Sequence, residues 1–216
     1  MNREPLVTGE HYHIYNRGVD KRQLFSDLHD VDRFFLGMTV FNSVKPIFSI
    51  RDFLDIKDNA NTIPDKKLVE FVAYCLNPNH YHFILKQLVD GGIAEFMKRL
   101  NGGYTWYFNK RNDRNGALLQ GTYKSKHVSD NDKFLELSVY VNMNNKVHKI
   151  SGENAKLVRS SWAEYTNGVV GLCEKKSVLE QFNDISEYKK FAFDTLPLLH
   201  KRKEEEKELK VLMLEQ

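Results

Sequence analysis

The segment from Leu68 to Leu88 constrains the fold of this chain more than any other. Two apolar runs, LVEFVAYCL (68–76) and HYHFILKQL (80–88), are joined by Asn77-Pro78-Asn79. Their β-branched and aromatic content and short length read as paired strands, and the connector carries turn residues. A hairpin this apolar belongs on buried, central strands of a sheet.

The rest of the chain supplies elements around that hairpin. Residues 10–17 (EHYHIYNR) read as a further strand. Asp30 is expected to cap a helix through DVDRFFLGMTVFNSV that turns Phe34, Met38 and Phe41 to one face. Residues 57–66 read as a polar loop, and a helix is expected from Ile93 to about Lys110, weakened midway by Gly102 and Gly103. A turn at Asn112–Asn115 and an extended stretch from Ala117 to Val128 follow. Ser129 or Asp130 then caps a helix through about Val147. The tail beyond Pro197 has mixed charge and helical propensity, as of a solvated helix or a partner surface. This order points to an α+β fold, with helices packed on one face of a mostly antiparallel sheet.

Composition narrows the class. With 41% hydrophobic residues in 216, the chain has material for a real core, which excludes a disordered protein. No stretch approaches the ~20 apolar residues of a membrane span, and the first residues lack the apolar core of a signal peptide. Cys75 and Cys173 make no disulfide framework, so the chain reads as cytoplasmic and reduced. The net charge of +3 is unevenly spread: residues 96–128 hold seven basic side chains against Asp113, a local +6 that leaves −3 elsewhere. Lys98, Arg99, Lys110, Arg111, Arg114, Lys124 and Lys126 are interleaved there with Tyr104, Trp106, Tyr107, Phe108 and Tyr123. That mixture suits a nucleic-acid surface, and equally a solvated basic face with its aromatics turned inward.

The strongest chemical feature is His80-Tyr81-His82. In a strand, residues two apart share a face, so both imidazoles project together and can chelate a divalent metal beside a phosphate. His11-Tyr12-His13 repeats the tripeptide near the N-terminus. The second copy leads into the buried strand and is the expected site, so His11 and His13 are expected to be dispensable for metal-dependent chemistry. In the helix of 131–147, Phe134, Leu137 and Val141 define the core face, and Glu136, Tyr140 and Asn144 form a row along its edge. A tyrosine so placed is a candidate nucleophile toward a phosphodiester, and Asn144 can lend an oxygen to the same metal.

These residues carry a family resemblance. The stretch Tyr74 to Leu85 around His80-Tyr81-His82 resembles the His-hydrophobic-His (HUH) motif in its usual setting. Tyr140-Val141-Asn142-Met143-Asn144 resembles the tyrosine helix of single-tyrosine HUH transposases, in particular the REP-associated tyrosine transposase branch. Tyr12 to Gly18, Gln120 to Ser125 and Ser160 to Tyr165 match in the same order, so the resemblance spans roughly 10–166. Asn145 stands where the branch usually has proline, and insertion-sequence relatives place Gln where Asn144 stands.

The resemblance implies a ferredoxin-like (RRM-like) palm over residues 1–166 with a C-terminal helical extension over 167–216. It implies Mg²⁺ or Mn²⁺ held by His80, His82 and Asn144, with Tyr140 attacking single-stranded DNA to give a 5′-phosphotyrosine link and a free 3′-OH. The substrates would be single strands carrying hairpins. Arg17, Lys98, Arg99, Lys110, Arg111, Arg114, Tyr123, Lys124 and Lys126 are the candidate DNA contacts. Both a monomer and a homodimer with the tyrosine exchanged fit the pattern. The alternative is a non-catalytic hairpin-binding module derived from a transposase. A zinc hydrolase fits poorly, because neither HExxH nor a cysteine cluster is present.

Overall fold

The computed structural model describes residues 5–45, 49–50, 53 and 66–212. All but the last residue of the polar loop expected over 57–66 lies outside the described residues. Strands β1 (His11–Arg17), β2 (Val69–Asn77), β3 (His80–Gln87), β4 (Lys124–His127) and a short β5 (Arg159–Ser160) form one sheet in the order β4-β1-β3-β2-β5. Every pairing is antiparallel. The expected hairpin is tighter than a three-residue connector, because Asn77 pairs with His80 and only Pro78-Asn79 turn. The Pro78 carbonyl, accepting from the backbone N–H of Leu24 (2.6 Å) and Phe25 (3.1 Å), pins that turn to the loop before the first helix.

Alternation along β3 decides the layers. Tyr81, Phe83 and Leu85 enter one core with Tyr12, Ile14 and Phe71, while Ile84 enters a second with Val72 and Cys75. Both faces of the central strands are apolar, so both must be covered. Helices α1 (Leu28–Val40) and α2 (Gly92–Arg111) close the first core through Phe34, Met38, Phe96 and Leu100. The second is closed by α3 (Asn131–Asn142), α4 (Asn144–Val147), α6 (Trp162–Thr166) and α8 (Ile185–Leu212), with α5 (Glu153–Lys156) and α7 (Lys176–Leu179) as short connectors. The α+β class and antiparallel sheet are as expected; the helices, expected on one face, cover both. No helix among the described residues is long and apolar enough to cross a membrane.

Several local expectations shift for identifiable reasons. The cap of α1 is Asp27, whose carboxylate accepts from the Asp30 backbone N–H at 3.0 Å. Asp30 is instead fully buried and takes the guanidinium of Arg111 from α2 at 2.5 Å. Helix α2 runs unbroken through both glycines, and a Cβ at Gly103 would stand 2.9 Å from the Phe41 ring. That glycine is there to let the end of α1 approach. Asp130 caps α3 as expected, accepting from Lys133 N at 2.8 Å. The helix breaks at Met143 (φ −111°, ψ 20°) and resumes as α4, within an Asn-Met-Asn-Asn run of low helix propensity. The extended stretch over 117–128 condenses to β4 at its end. The C-terminal helix begins before Pro197 and is not simply solvated: Tyr188, Ala192 and Leu199 are buried in the second core.

Candidate active site

The second layer holds the chemistry. His80 and His82 project from β3 toward α3, and the same face of β1 presents His13 and Tyr15. In the β1–β3 register Tyr15 lies opposite His82, which puts His13 diagonal to it, within reach of an aromatic side chain. His13 Nε2 stands 2.9 Å from His82 Nδ1. The ring of Tyr140 on α3 meets His82 edge-on, with centroids 5.4 Å apart, and lies 5.9 Å from His13. One chain therefore brings the tyrosine to the histidines. Asn144, one turn on, is fully buried with its Oδ1 3.1 Å from His80 Nε2.

What orients α3 is a polar knot in its core. Asn142 Nδ2 donates to the Tyr188 hydroxyl of α8 (2.9 Å), and Ser161 Oγ donates to Asn142 Oδ1 (2.5 Å). Ser161 also accepts from Tyr74 N of β2 at 2.9 Å. The helix end that carries Tyr140 is thus tied to both the sheet and the C-terminal helix.

The donors fit a divalent cation. His80 Nδ1 faces the amide oxygen of Asn79 at 2.6 Å; that oxygen only accepts, so the proton sits on Nδ1 and Nε2 keeps its lone pair. His80 Nε2 and Asn144 Oδ1 are then two acceptors facing each other at 3.1 Å, bridged by Asn77 Nδ2 at 2.9 and 2.7 Å. Adjacent ligands about 2.1 Å from one ion stand about 3.0 Å apart, so the pair is spaced for a shared cation. Holding its oxygen there leaves Asn144 Nδ2 buried with no hydrogen-bond partner. An unpaired buried amide N–H costs about 1–3 kcal/mol.

Burial favours the neutral form of the site's imidazoles. Burial lowers His13 and His80 to about 4, with Lys126 adding to the effect on His13. Burial first, then the neighbouring imidazoles and Lys203, hold His82 well below the ordinary histidine value. His148, stacked obliquely on His80 with centroids 4.5 Å apart, is lowered to about 3, again by burial first. One nitrogen of each of His80, His82 and His148 lies within 4.8 Å of the others. The Tyr140 phenol is pushed up by burial, an effect opposed by the Asn144 side chain and reinforced by Glu206 of α8.

The candidate DNA contacts divide by environment. Lys124 and Lys126 are exposed on the edge strand β4, and Lys98 is exposed on α2. Lys110 lies over the exposed Trp106 ring at 5.1 Å. Arg17, opposite His80 in register, is exposed and paired with Gln120. Arg114 holds Asn109 and the Ala117 carbonyl, and Arg99 holds Glu95 and the Ser43 carbonyl. Arg111 is engaged by Asp27 and Asp30, and the Tyr123 ring is buried in the first core. Sequence reasoning set aside His13, which the structure brings against His82, and missed His148, which it brings against His80. His148 had a signal, since it extends the Glu136, Tyr140, Asn144 row by one more turn.

Residues 38–144 match the family model described as Transposase IS200 like. Over that stretch, just under half of its length, the chain is similar to the IS200-like transposases. The match spans β2, β3 and the tyrosine helix, and so contains His80, His82, Tyr140 and Asn144. Among solved structures, a REP-associated tyrosine transposase bound to a REP hairpin matches with a TM-score of 0.51 at 12% identity, covering 80% of this chain and 88% of that one. At that identity the likeness establishes the fold. A tRNA(His) guanylyltransferase from Saccharomyces cerevisiae also aligns, at 10% identity over 91% of this chain and 81% of that one, but with a TM-score of 0.33 that carries no argument. No curated protein matches this chain in sequence.

Proposed function

We propose that the chain cleaves and rejoins single-stranded DNA beside hairpins through a covalent 5′-phosphotyrosine on Tyr140, with Mg²⁺ or Mn²⁺ held by His80, His82 and Asn144. The observation that carries this reading is convergence: a tyrosine from α3 stands edge-on to His82 while Asn144, one turn later, shares its oxygen with His80. Bound there, the ion supplies charge that polarises a phosphate and favours the phenolate. The chain's own residues supply the rest. Tyr140 Oη loses its proton and attacks phosphorus, the new O–P bond forms as the P–O3′ bond breaks, and the leaving oxygen takes up a proton, so the strand departs with a free 3′-OH. Attack by a 3′-OH on the phosphotyrosine reverses the step and joins strands. Burial favours the protonated phenol, and a cation held by His80, His82 and Asn144 would favour the phenolate.

Arg17, Lys98, Lys110, Arg114, Lys124 and Lys126 are the proposed phosphate contacts. The hairpin bound by the structurally similar REP-associated transposase supports hairpin DNA as the partner. The test is a labelled pool of single-stranded hairpins incubated with Mn²⁺ and run on a denaturing gel. A protein–DNA band that needs metal and is lost in Tyr140→Phe is expected. A band that survives Tyr140→Phe moves the nucleophile elsewhere; tight hairpin binding on native gels with no band favours the non-catalytic module.

A further inference from the structure

Outside the residues assigned above, one side chain faces the same point in space. His148 follows α4, and its backbone N–H donates to the Asn144 carbonyl at 2.9 Å, closing one helical turn between the two. This turn puts the His148 ring on the side of the helix that carries Asn144, against the ring of His80. The break at Met143 lets α4 start afresh toward the sheet, and Lys149 then leaves the helix with a φ of +53°. His148 is held in place at both ends.

We propose that His148 is a fourth ligand of the metal site, so that three imidazoles and the Asn144 amide oxygen bind a transition-metal ion in preference to Mg²⁺. The inference rests on the metal reading above and deepens it. Geometry carries the first half, because a nitrogen of each of His80, His82 and His148 falls within 4.8 Å of the other two, a spacing that small side-chain rotations contract onto one ion. Donor chemistry carries the second. Mg²⁺ is a hard ion that takes oxygen ligands and keeps its waters, whereas imidazole suits the first-row transition ions, with affinity rising from Mn²⁺ through Co²⁺.

The cluster adjoins open space through His80 and His148. A cleft of about 300 Å³ opens beside the cluster, lined by His80 and His148 on one wall and by Lys21, Gln23 and Asn154 on others. A site with protein ligands on one side and an open position on the other is the arrangement of a catalytic rather than a structural metal.

The test uses the full chain stripped with a chelator and titrated with Co²⁺, whose visible absorption reports ligand number directly. The wild type is expected to give a Co²⁺ spectrum that excess Mg²⁺ does not remove. His148→Ala should weaken Co²⁺ binding by about tenfold or more, at least the loss typical of a mere outer-shell partner, and alter the spectrum. His148→Asp, which restores a ligand, should recover affinity and shift preference toward Mn²⁺ and Mg²⁺. Circular dichroism of each variant separates ligand loss from misfolding.

Unchanged Co²⁺ affinity and spectrum in His148→Ala would overturn the proposal while leaving the His80, His82 and Asn144 site standing. Ready displacement of Co²⁺ by Mg²⁺ would overturn the selectivity. Binding that also ignores His80→Ala and His82→Ala would bring down the metal reading itself.

Discussion

Replacing His13 by alanine should weaken metal binding even though His13 is not proposed to touch the ion. His82 needs a lone pair on Nε2 to act as a ligand, so its proton must sit on Nδ1, and the acceptor placed for that proton is His13 Nε2 at 2.9 Å. Without His13 the metal-free protein can move the proton to Nε2 and lose little. The metal-bound protein has no such escape and keeps a buried N–H unpaired, at a cost of about 1–3 kcal/mol. The penalty therefore falls on the bound state and appears as a loss of affinity of roughly 10–100-fold. Calorimetric titration of the chelator-stripped protein with Mn²⁺ measures it, and His13→Gln, whose amide oxygen can accept the same proton, should recover part of the loss. If His13→Ala binds Mn²⁺ within about twofold of wild type with unchanged melting, the tautomer argument fails. The sequence alone reads His13 as dispensable; its diagonal position to His82 argues for the opposite outcome.

Tyr140→Phe should abolish the covalent adduct while leaving hairpin affinity within a few-fold, read by denaturing and native gels, because phosphate contacts dominate such binding. Lys203 bears on His80, His82 and His148 with positive charge, so Lys203→Gln should tighten Mn²⁺ binding by calorimetry; weaker binding would refute the charge argument. His13 and His80 are lowered from 6.5 to about 4 in the fold, so the unfolded chain binds more protons between those values. Stability is then fully present above pH 6.5 and declines as pH falls toward 4, and the melting temperature of the metal-free protein should drop from pH 7.5 to pH 5, less so in His80→Gln. Two adjacent glycines should also part company: Gly102→Ala, with nothing near its Cβ, should stabilise by about 0.5–1 kcal/mol. Gly103→Ala presses on the buried Phe41 ring and should cost about 1–3 kcal/mol before that helix gain, so its melting temperature should lie below that of Gly102→Ala.

Much of this protein was written locally. The apolar runs at 68–76 and 80–88 fixed a hairpin because hydrophobic content and turn residues act over a few positions, and the period of a strand put His80 and His82 on one face. The period of a helix likewise aligned Tyr140 with Asn144. Other features depended on neighbours that no local rule can see. That β1 lies beside β3, and in the register that sets His13 against His82, follows from how the whole sheet buries its two apolar faces. Arg111 reads as a free cation in sequence, but Asp27 and Asp30 meet it only because α1 packs on α2. Tyr123 reads as a base-stacking ring, but the first core takes it. The meeting of Tyr140 with its histidines inside one chain, and of His148 with both, came from tertiary packing alone, because contact between distant residues is set by how layers close and not by spacing along the chain.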